Sequence, residues 1–293
     1  MTFADKYDET IEKLRTAEIV FSHTSLKELG KSPFHFLNYM WKKVEGIDDS
    51  SVKQKLGVTS HLYIFDNPEF YEKCVTVEHW DTCLNTNADT VKIINGVEYP
   101  RCGKESLAKY KEKYPDKILC FKESMETAEA LRFIMLSNPE VSDILRHENR
   151  IIERTFTTVL SNYGIKIKFI PDFLIPNFDG NVGLLIDLKF IQDLSKGKFI
   201  RYSLEKLDAY RQTALYELGI KSQDDIPLEF VTTSILGIDN FGYKYIKRID
   251  EHSEFQDAKL YLDYLLKKAY TLERDIKKNP EILFRSYDWH NYY

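Results

Sequence analysis

Residues 165–173, IKIKFIPDF, and residues 182–190, VGLLIDLKF, are the two stretches on which the fold turns. Both are rich in β-branched and aromatic residues, and Pro176-Asn177-Phe178-Asp179-Gly180-Asn181 between them is turn material, so the pair predicts a β-hairpin. Strand side chains alternate between faces, which puts Asp187 and Lys189 on the same side of the second strand. Asp172 can approach from the first.

Two carboxylates and an amine delivered from neighbouring strands suit a site that holds a divalent metal and cuts phosphodiesters. Mg2+ and Mn2+ take hard oxygen ligands. Asp172, Asp187 and the Leu188 carbonyl can supply part of an octahedral shell, with water and a phosphate oxygen completing it. Lys189 would serve either as an electrostatic partner for the phosphate or as a base with a lowered pKa, and the pattern leaves both roles open. The plainer alternative is a strand-end cap at Asp172 and an ordinary exposed strand face at Asp187-Leu188-Lys189.

Outward from the hairpin, the pattern predicts a central mixed β-sheet flanked by helices, an α/β (α+β) architecture without an internal repeat. Ser22, Thr24 or Ser25 can cap a helix beginning near Leu26, with Phe34, Phe36, Leu37 and Met40 as the apolar stripe of its continuation. Residues 51–65 read as a helix carrying His61. Residues 74–104 read as irregular, with turns at Asn95-Gly96 and Pro100-Arg101-Cys102-Gly103 and room for a mobile flap. Helices follow over 124–137 and from Pro139 to Leu145. Residues 151–160 read as strand, since Phe156, Thr157, Thr158 and Val159 are poor helix formers. A helix is expected over 204–218 with Gly219 as its C-cap, and it turns Gln212 and Tyr216 the same way. Strands over 228–236 and 243–249, joined through Gly237-Ile238-Asp239-Asn240, precede a long amphipathic helix from Phe255 to Ile276.

At 293 residues with 43% hydrophobic content, including 18 Phe and 19 Tyr, the chain can bury a sizeable core. Cys74, Cys83, Cys102 and Cys120 include no C-x-x-C pair, which disfavours a zinc ribbon or an iron–sulphur cluster, and they are expected as thiols. The N-terminus lacks an apolar targeting stretch, and no run approaches the roughly 18 apolar residues of a membrane helix, so a soluble intracellular protein is expected. Lys and Arg number 41 against 46 Asp and Glu, a formal net charge of -5 that does not advertise a phosphate-polymer partner. Locally the balance reverses. Between Lys189 and Arg211, six basic residues (Lys189, Lys196, Lys198, Arg201, Lys206, Arg211) stand against three acidic ones (Asp193, Glu205, Asp208). A basic channel on an acidic body fits an enzyme that moves along DNA, although a solvated helix face gives the same count.

The chain resembles the phage-recombination branch of the PD-(D/E)XK nuclease superfamily, in particular the exonuclease VIII type and the lambda-type recombination exonucleases. Five blocks carry the resemblance, in order. The first is Phe21-Ser22-His23-Thr24-Ser25-Leu26 with Lys31-Ser32-Pro33-Phe34-His35-Phe36, and the second is Gly57-Val58-Thr59-Ser60-His61 followed by Asn67-Pro68-Glu69-Phe70. The third is Glu153, where the family places a helix glutamate, and the fourth is the Asp172 to Lys189 core. The last is Gln212-Thr213-Ala214-Leu215-Tyr216. Ile170 stands where an arginine is often found and Phe190 where a threonine is usual, departures that bear on phosphate contacts rather than on metal binding.

What the resemblance implies is specific. It implies a restriction-endonuclease-like core in one nuclease domain over 1–293, with a helical part over about 1–145 and a catalytic core over about 146–280. Metal contacts fall to His61, Asp172, Asp187 and the Leu188 carbonyl, and catalysis to Lys189. Glu153 would share the cleft, and Gln212 and Tyr216 would orient Lys189 or the scissile phosphate. The implied activity is Mg2+-dependent (or Mn2+-dependent) 5'-to-3' digestion of linear double-stranded DNA in recombination or end processing. The implied setting is the cytoplasm of a bacterial or phage-infected cell, as a ring-like homo-trimer or tetramer with a single-strand annealing protein as partner. An internally cutting or structure-specific endonuclease, or an inactive DNA-binding protein on the same fold, are the competing readings.

Overall fold

The computed structural model describes residues 8–46, 61–65, 69–80, 91–191, 208–226, 228–239 and 244–278. In chain order the elements are α1 (Asp8–Thr16), β1 (Val20–Phe21), α2 (His23–Lys31), α3 (Pro33–Val44), α4 (Glu69–Lys73), β2 (Cys74–Thr76), β3 (Val91–Ile94) and β4 (Val97–Pro100). Then come α5 (Lys104–Lys113), β5 (Ile118–Cys120), α6 (Lys122–Leu136), α7 (Pro139–Leu145), β6 (Ile151–Ile152), β7 (Phe156–Leu160), β8 (Ile165–Phe169) and β9 (Phe173–Asp179). The chain continues with β10 (Val182–Ile191), α8 (Ala209–Lys221), β11 (Phe230–Asp239), β12 (Lys244–Arg248) and α9 (Ser253–Lys278).

A five-stranded sheet in the order β12-β11-β10-β9-β6 forms the centre, with β10 and β11 parallel and the other pairs antiparallel, so the expected mixed sheet flanked by helices is present. β10 occupies the middle and is covered on both sides, which explains its nearly unbroken apolar run. Leu185 faces a core with Leu174, Ile235 and the helices α8 and α9; Leu184, Ile186 and Leu188 face a second core with Phe173, Leu131, Met135 and Phe65. Each side chain of this size withdrawn from water stabilises the fold by about 1.5–3 kcal/mol. A smaller sheet, β1-β8-β7, adds Phe21, Phe156, Ile167 and Phe169 to the first core. Among the described residues no helix is long and apolar enough to cross a membrane.

Several element boundaries differ from the sequence expectation, each for a local reason. The stretch from Ile165 to Phe173 is not one strand: β8 ends at Phe169 in the small sheet, and β9 starts at Phe173 in the large one. Pro171 lies at the break, where its missing N–H costs no ladder bond. β9 then runs on through Pro176 to Asp179, and the turn of the hairpin is Gly180-Asn181. Asn177 at φ 55° and a register shift between Val182 and Leu184 mark a bulge that absorbs the residues taken for turn. Residues 151–160 likewise split into β6 and β7, which belong to different sheets.

The predicted helix from Leu26 through Met40 is two helices. Ser22 and Ser25 exchange a capping box at the start of α2, and Ser32 with Pro33 stops it and caps α3. Residues 74–104 include a regular hairpin, β3–β4, whose Asn95-Gly96 turn has positive φ at both positions (51° and 78°) as a two-residue turn of this hand requires. α8 begins at Ala209, and Gly219 is inside it rather than at its cap. A Cβ at Gly219 would stand 2.3 Å from Phe169 Cε1, so glycine is there for close helix–strand approach. Gly237-Ile238-Asp239 belongs to β11, and Gly237 and Ile238 pair with β12 instead of linking the two strands. The 51–60 part of the helix expected over 51–65, and residues 204–207, lie outside the described residues.

Candidate metal and catalytic site

β10 carries Asp187 and Lys189 on the face toward α8. Lys189 Nζ stands 2.9 Å from Asp187 Oδ1 and 2.7 Å from Oδ2. The same ammonium donates to Gln212 Oε1 at 3.2 Å, and Gln212 Nε2 donates to the Tyr216 hydroxyl at 2.6 Å. Gln212 and Tyr216 are one helical turn apart on α8, so their shared direction follows from the helix period. Asp187, Lys189, Gln212 and Tyr216 thus form one polar chain beneath the first core.

Asp172 enters from the break before β9. Its Oδ2 accepts a 2.7 Å hydrogen bond from the Leu188 amide, on the backbone between Asp187 and Lys189. Leu188 therefore meets the site through its N–H, while its side chain is buried in the opposite core. Glu153 follows β6 with φ at 49°, a left-handed conformation uncommon outside glycine, and its N–H donates to the Asp172 carbonyl at 3.3 Å. It is at a strand break and not on the helix the resemblance implied.

His61 belongs to a helical segment described over 61–64, tied to the sheet by Phe65, whose ring centroid is 5.4 Å from that of Phe173. His61 Nδ1 is 3.0 Å from Glu153 Oε1 and 3.6 Å from Asp172 Oδ1. One ligand atom from each of His61, Glu153 and Asp172 falls within 4.8 Å of the others, a spacing that could hold a divalent cation. All seven side-chain positions singled out in the sequence, His61, Glu153, Asp172, Asp187, Lys189, Gln212 and Tyr216, are thereby drawn into one region. Glu153, expected among the catalytic groups and not among the metal ligands, is in the metal-spaced cluster, whereas Asp187 is held by Lys189.

Burial governs the electrostatics. It raises the Asp187 carboxyl to about 6 against the opposing pull of Lys189, and raises Asp172 despite His61, Lys189 and the Leu188 N–H. For Lys189, burial pushes the pKa down, but Asp187 and Asp172 outweigh it and hold the ammonium above its ordinary value. His61 behaves alike, with burial opposed and overcome by Asp172 and Glu153. Burial first, then Asp172 and Asp187, lift the Tyr216 hydroxyl well above 10.

Asp187 Oδ2 is sealed from water and, among the described residues, receives no well-directed hydrogen bond, although Nζ is close to it. A buried carboxylate oxygen in that state is costly unless another positive group completes it. Oxygen and imidazole donors with such an oxygen fit a divalent cation.

Arg132, read from the sequence only as a helix position, donates to the Tyr63 carbonyl at 2.9 Å and so supports the turn bearing His61. Nothing in the local sequence pairs it with a segment that far away. Of the basic run, Lys189 and Arg211 are ion-paired, to Asp187 and Asp208, and Lys196, Lys198, Arg201 and Lys206 lie outside the described residues. Cys74, Cys102 and Cys120 are buried among apolar side chains, and Cys83 is outside the described residues.

No family model and no curated protein matches the chain. Among solved structures, the fold is similar to the crystal structure of a candidate exonuclease from Eubacterium rectale, with a TM-score of 0.50 and 14% identity over 94% of this chain and 86% of that one. At that identity the likeness carries the fold and leaves the activity to the site.

Proposed function

We propose that this chain is a metal-dependent exodeoxyribonuclease acting on ends of linear double-stranded DNA. The observation that carries the reading is the joining of Asp172 to β10: one backbone amide, Leu188 N–H, fixes a second carboxylate beside the Asp187–Lys189 pair. A structural ion pair needs no further carboxylates, whereas here Glu153 and His61 close on Asp172 as well. Asp172, Asp187, His61 and the Leu188 carbonyl are the groups that would hold Mg2+ or Mn2+, with Glu153 beside them. When bound, the cation supplies charge neutralisation at the phosphate and a lowered pKa for a coordinated water.

Phosphodiester hydrolysis joins water oxygen to phosphorus, breaks one ester P–O bond and delivers a proton to the leaving oxygen. In this reading the Lys189 ammonium faces the phosphate and offsets the charge that builds on its oxygens. Gln212 orients that ammonium, and Tyr216 orients Gln212. Asp172 is kept in place by Leu188, and Glu153 directs the His61 ring. Digestion in the 5'-to-3' direction, a trimeric or tetrameric ring, and cooperation with a single-strand annealing protein complete the proposal. Encirclement would let a chain of net charge -5 stay on DNA through weak local contacts.

A 5'-labelled linear duplex and a covalently closed circle, each incubated with Mg2+ and with EDTA, test the reading. Nucleotides released from the labelled end of the linear duplex with Mg2+ alone support it. Cuts in the circle would replace it with an endonuclease, and equal product in EDTA would remove the metal. Light scattering on the same protein tests the ring, which a monomer digesting long tracts would overturn.

A further inference from the structure

We infer that His23 and Asp208 form a positioning pair that holds Gln212 against Lys189, so that helix α2 sets the geometry of the site from outside it. The kinetic consequence rests on the nuclease reading; the geometry does not.

Asp208 immediately precedes α8 and has φ 62° and ψ 31°, a left-handed conformation costing a non-glycine residue about 1–2 kcal/mol. An aspartate at a helix start ordinarily keeps an extended backbone and caps the first amides with its carboxylate. This one makes no such cap. Its Oδ2 lies 3.2 Å from His23 Nε2, and its Oδ1 accepts from Arg211 Nε. Only 5% of the residue is exposed, so those partners decide whether the carboxylate is tolerated. Burial pushes its pKa up, but the hydrogen bonds from His23 and Arg211 bring it below the usual carboxylate value.

The two partners do different work. Arg211 is three residues along the same helix, so its bond to Asp208 does not itself fix Asp208 relative to the rest of the molecule. His23 is 185 residues away in sequence, and its bond does. It stands at the first position of α2, where the Ser22–Ser25 capping box sets the helix start. α2 is in turn seated on α9 at Gly30, where an added Cβ would come within 3.2 Å of the Tyr261 hydroxyl. Arg211 lies over the Tyr261 ring at 4.8 Å, so α2, α8 and α9 converge around Asp208.

The link to the site is direct. The Asp208 carbonyl accepts from the Gln212 N–H at 3.1 Å, the first rung of α8, and the Gln212 side chain then spans Lys189 and Tyr216. A shift of the α8 start would move the Gln212 amide off the ammonium.

The test uses the full-length protein and the variants His23→Ala, Asp208→Ala, Asp208→Gly, the His23→Ala/Asp208→Ala double and His23→Gln. Two readouts are taken: kcat and KM on linear duplex, and the side-chain amide NMR cross-peak of Gln212 in metal-free protein, assigned by its loss in Gln212→Leu. Each single alanine variant is expected to move the cross-peak and lower kcat on the order of ten-fold, as small misplacements near reacting groups do, with KM little changed. The double variant is expected to be no worse than the poorer single, since the two act as one unit. His23→Gln, which returns an amide donor near the ring Nε2 position, is expected to recover both readouts. Asp208→Gly adopts the left-handed backbone without strain but lacks the carboxylate, so it should resemble Asp208→Ala, and it replaces that variant if alanine prevents folding. A Gln212 cross-peak unmoved by His23→Ala, full recovery in Asp208→Gly, or multiplicative losses in the double variant would each overturn the pair. If the wild-type protein cleaves no DNA, the nuclease reading fails while the cross-peak still decides the positioning claim.

Discussion

Asp172 and Leu188 are joined by a 2.7 Å hydrogen bond from the Leu188 amide to Asp172 Oδ2, which fastens the residue before β9 to the Asp187-Leu188-Lys189 stretch of its neighbour. The bond gives Asp172 two separable jobs: a charge for the site and an acceptor for a buried N–H.

Those jobs should separate by mutation. Asp172→Asn keeps an acceptor for Leu188 and is expected to fold normally while losing metal-dependent cleavage by about 100-fold or more. Asp172→Ala orphans the amide as well, and is expected to cost a further ~1–3 kcal/mol in urea unfolding. Equal stability of the two variants would show that the Leu188 bond contributes nothing.

Lys189 bears on the same site through charge. Lys189→Ala is expected to lower kcat by about 100-fold or more, since a well-placed cation at the transition state is lost. Asp187 would then be buried without its counter-ion, and removing one partner of such a pair costs about 3–5 kcal/mol. Single-turnover cleavage and thermal unfolding check the two effects on one sample. Wild-type kcat in Lys189→Ala would dismiss its assigned role.

The pH dependence follows from Asp187. Its carboxyl is raised by burial to about 6 in the fold from 3.8. A raised folded-state value means the contribution to stability is complete below 3.8 and is lost as pH rises through about 6. The loss is on the order of 3 kcal/mol for the metal-free protein. His61, whose pKa is also raised, acts in the same direction. A cation needs the ionised carboxylates, so its stabilising effect should grow over the same window. Melting temperatures at pH 5 and pH 7.5, with EDTA and with Mn2+, check this: the metal-induced increase should be larger at pH 7.5.

Much of the site was legible because its residues come in short spacings with a fixed period. Asp187 and Lys189 share a strand face, and Gln212 and Tyr216 a helix face, so their meeting needed only the two elements to pack. The joins between distant segments were not legible. The amide clamp on Asp172, the Arg132 support for the His61 turn and the His23–Asp208 contact depend on tertiary placement that leaves no local pattern. Strand boundaries failed where a residue breaks the ladder without ending the apolar run, as at Ile170-Pro171-Asp172 between β8 and β9. Gly219 was read as a cap because glycine favours helix ends, while the ring of Phe169 gives it another reason to be there.

Gly219→Ala isolates that reason. The new methyl would stand 2.3–2.8 Å from three Phe169 ring atoms, in a core where the ring also lies against Tyr216. Overpacking of this sort costs about 1–3 kcal/mol, whereas alanine in an unobstructed helix would stabilise it by about 1 kcal/mol. The sign of the change in urea unfolding therefore decides between close packing and a free helical glycine, and destabilisation is expected.

Glu153 sets backbone comfort against site geometry. At φ 49° it has a conformation that glycine takes freely and that costs other residues about 1–3 kcal/mol at such places. Its side chain holds His61 Nδ1 at 3.0 Å, so the strained backbone is what aims the carboxylate at the ring. Glu153→Gly releases the strain and deletes the carboxylate; stability is expected to hold or rise while cleavage falls. Glu153→Gln keeps the strain and an acceptor for His61 but removes the charge, and should preserve stability with a partial loss of metal affinity. If Glu153→Gly unfolds more easily than the parent and still cleaves DNA at the parent rate, the carboxylate serves the fold and not the site. Thermal melts paired with calorimetric Mn2+ titration of the three proteins distinguish these outcomes.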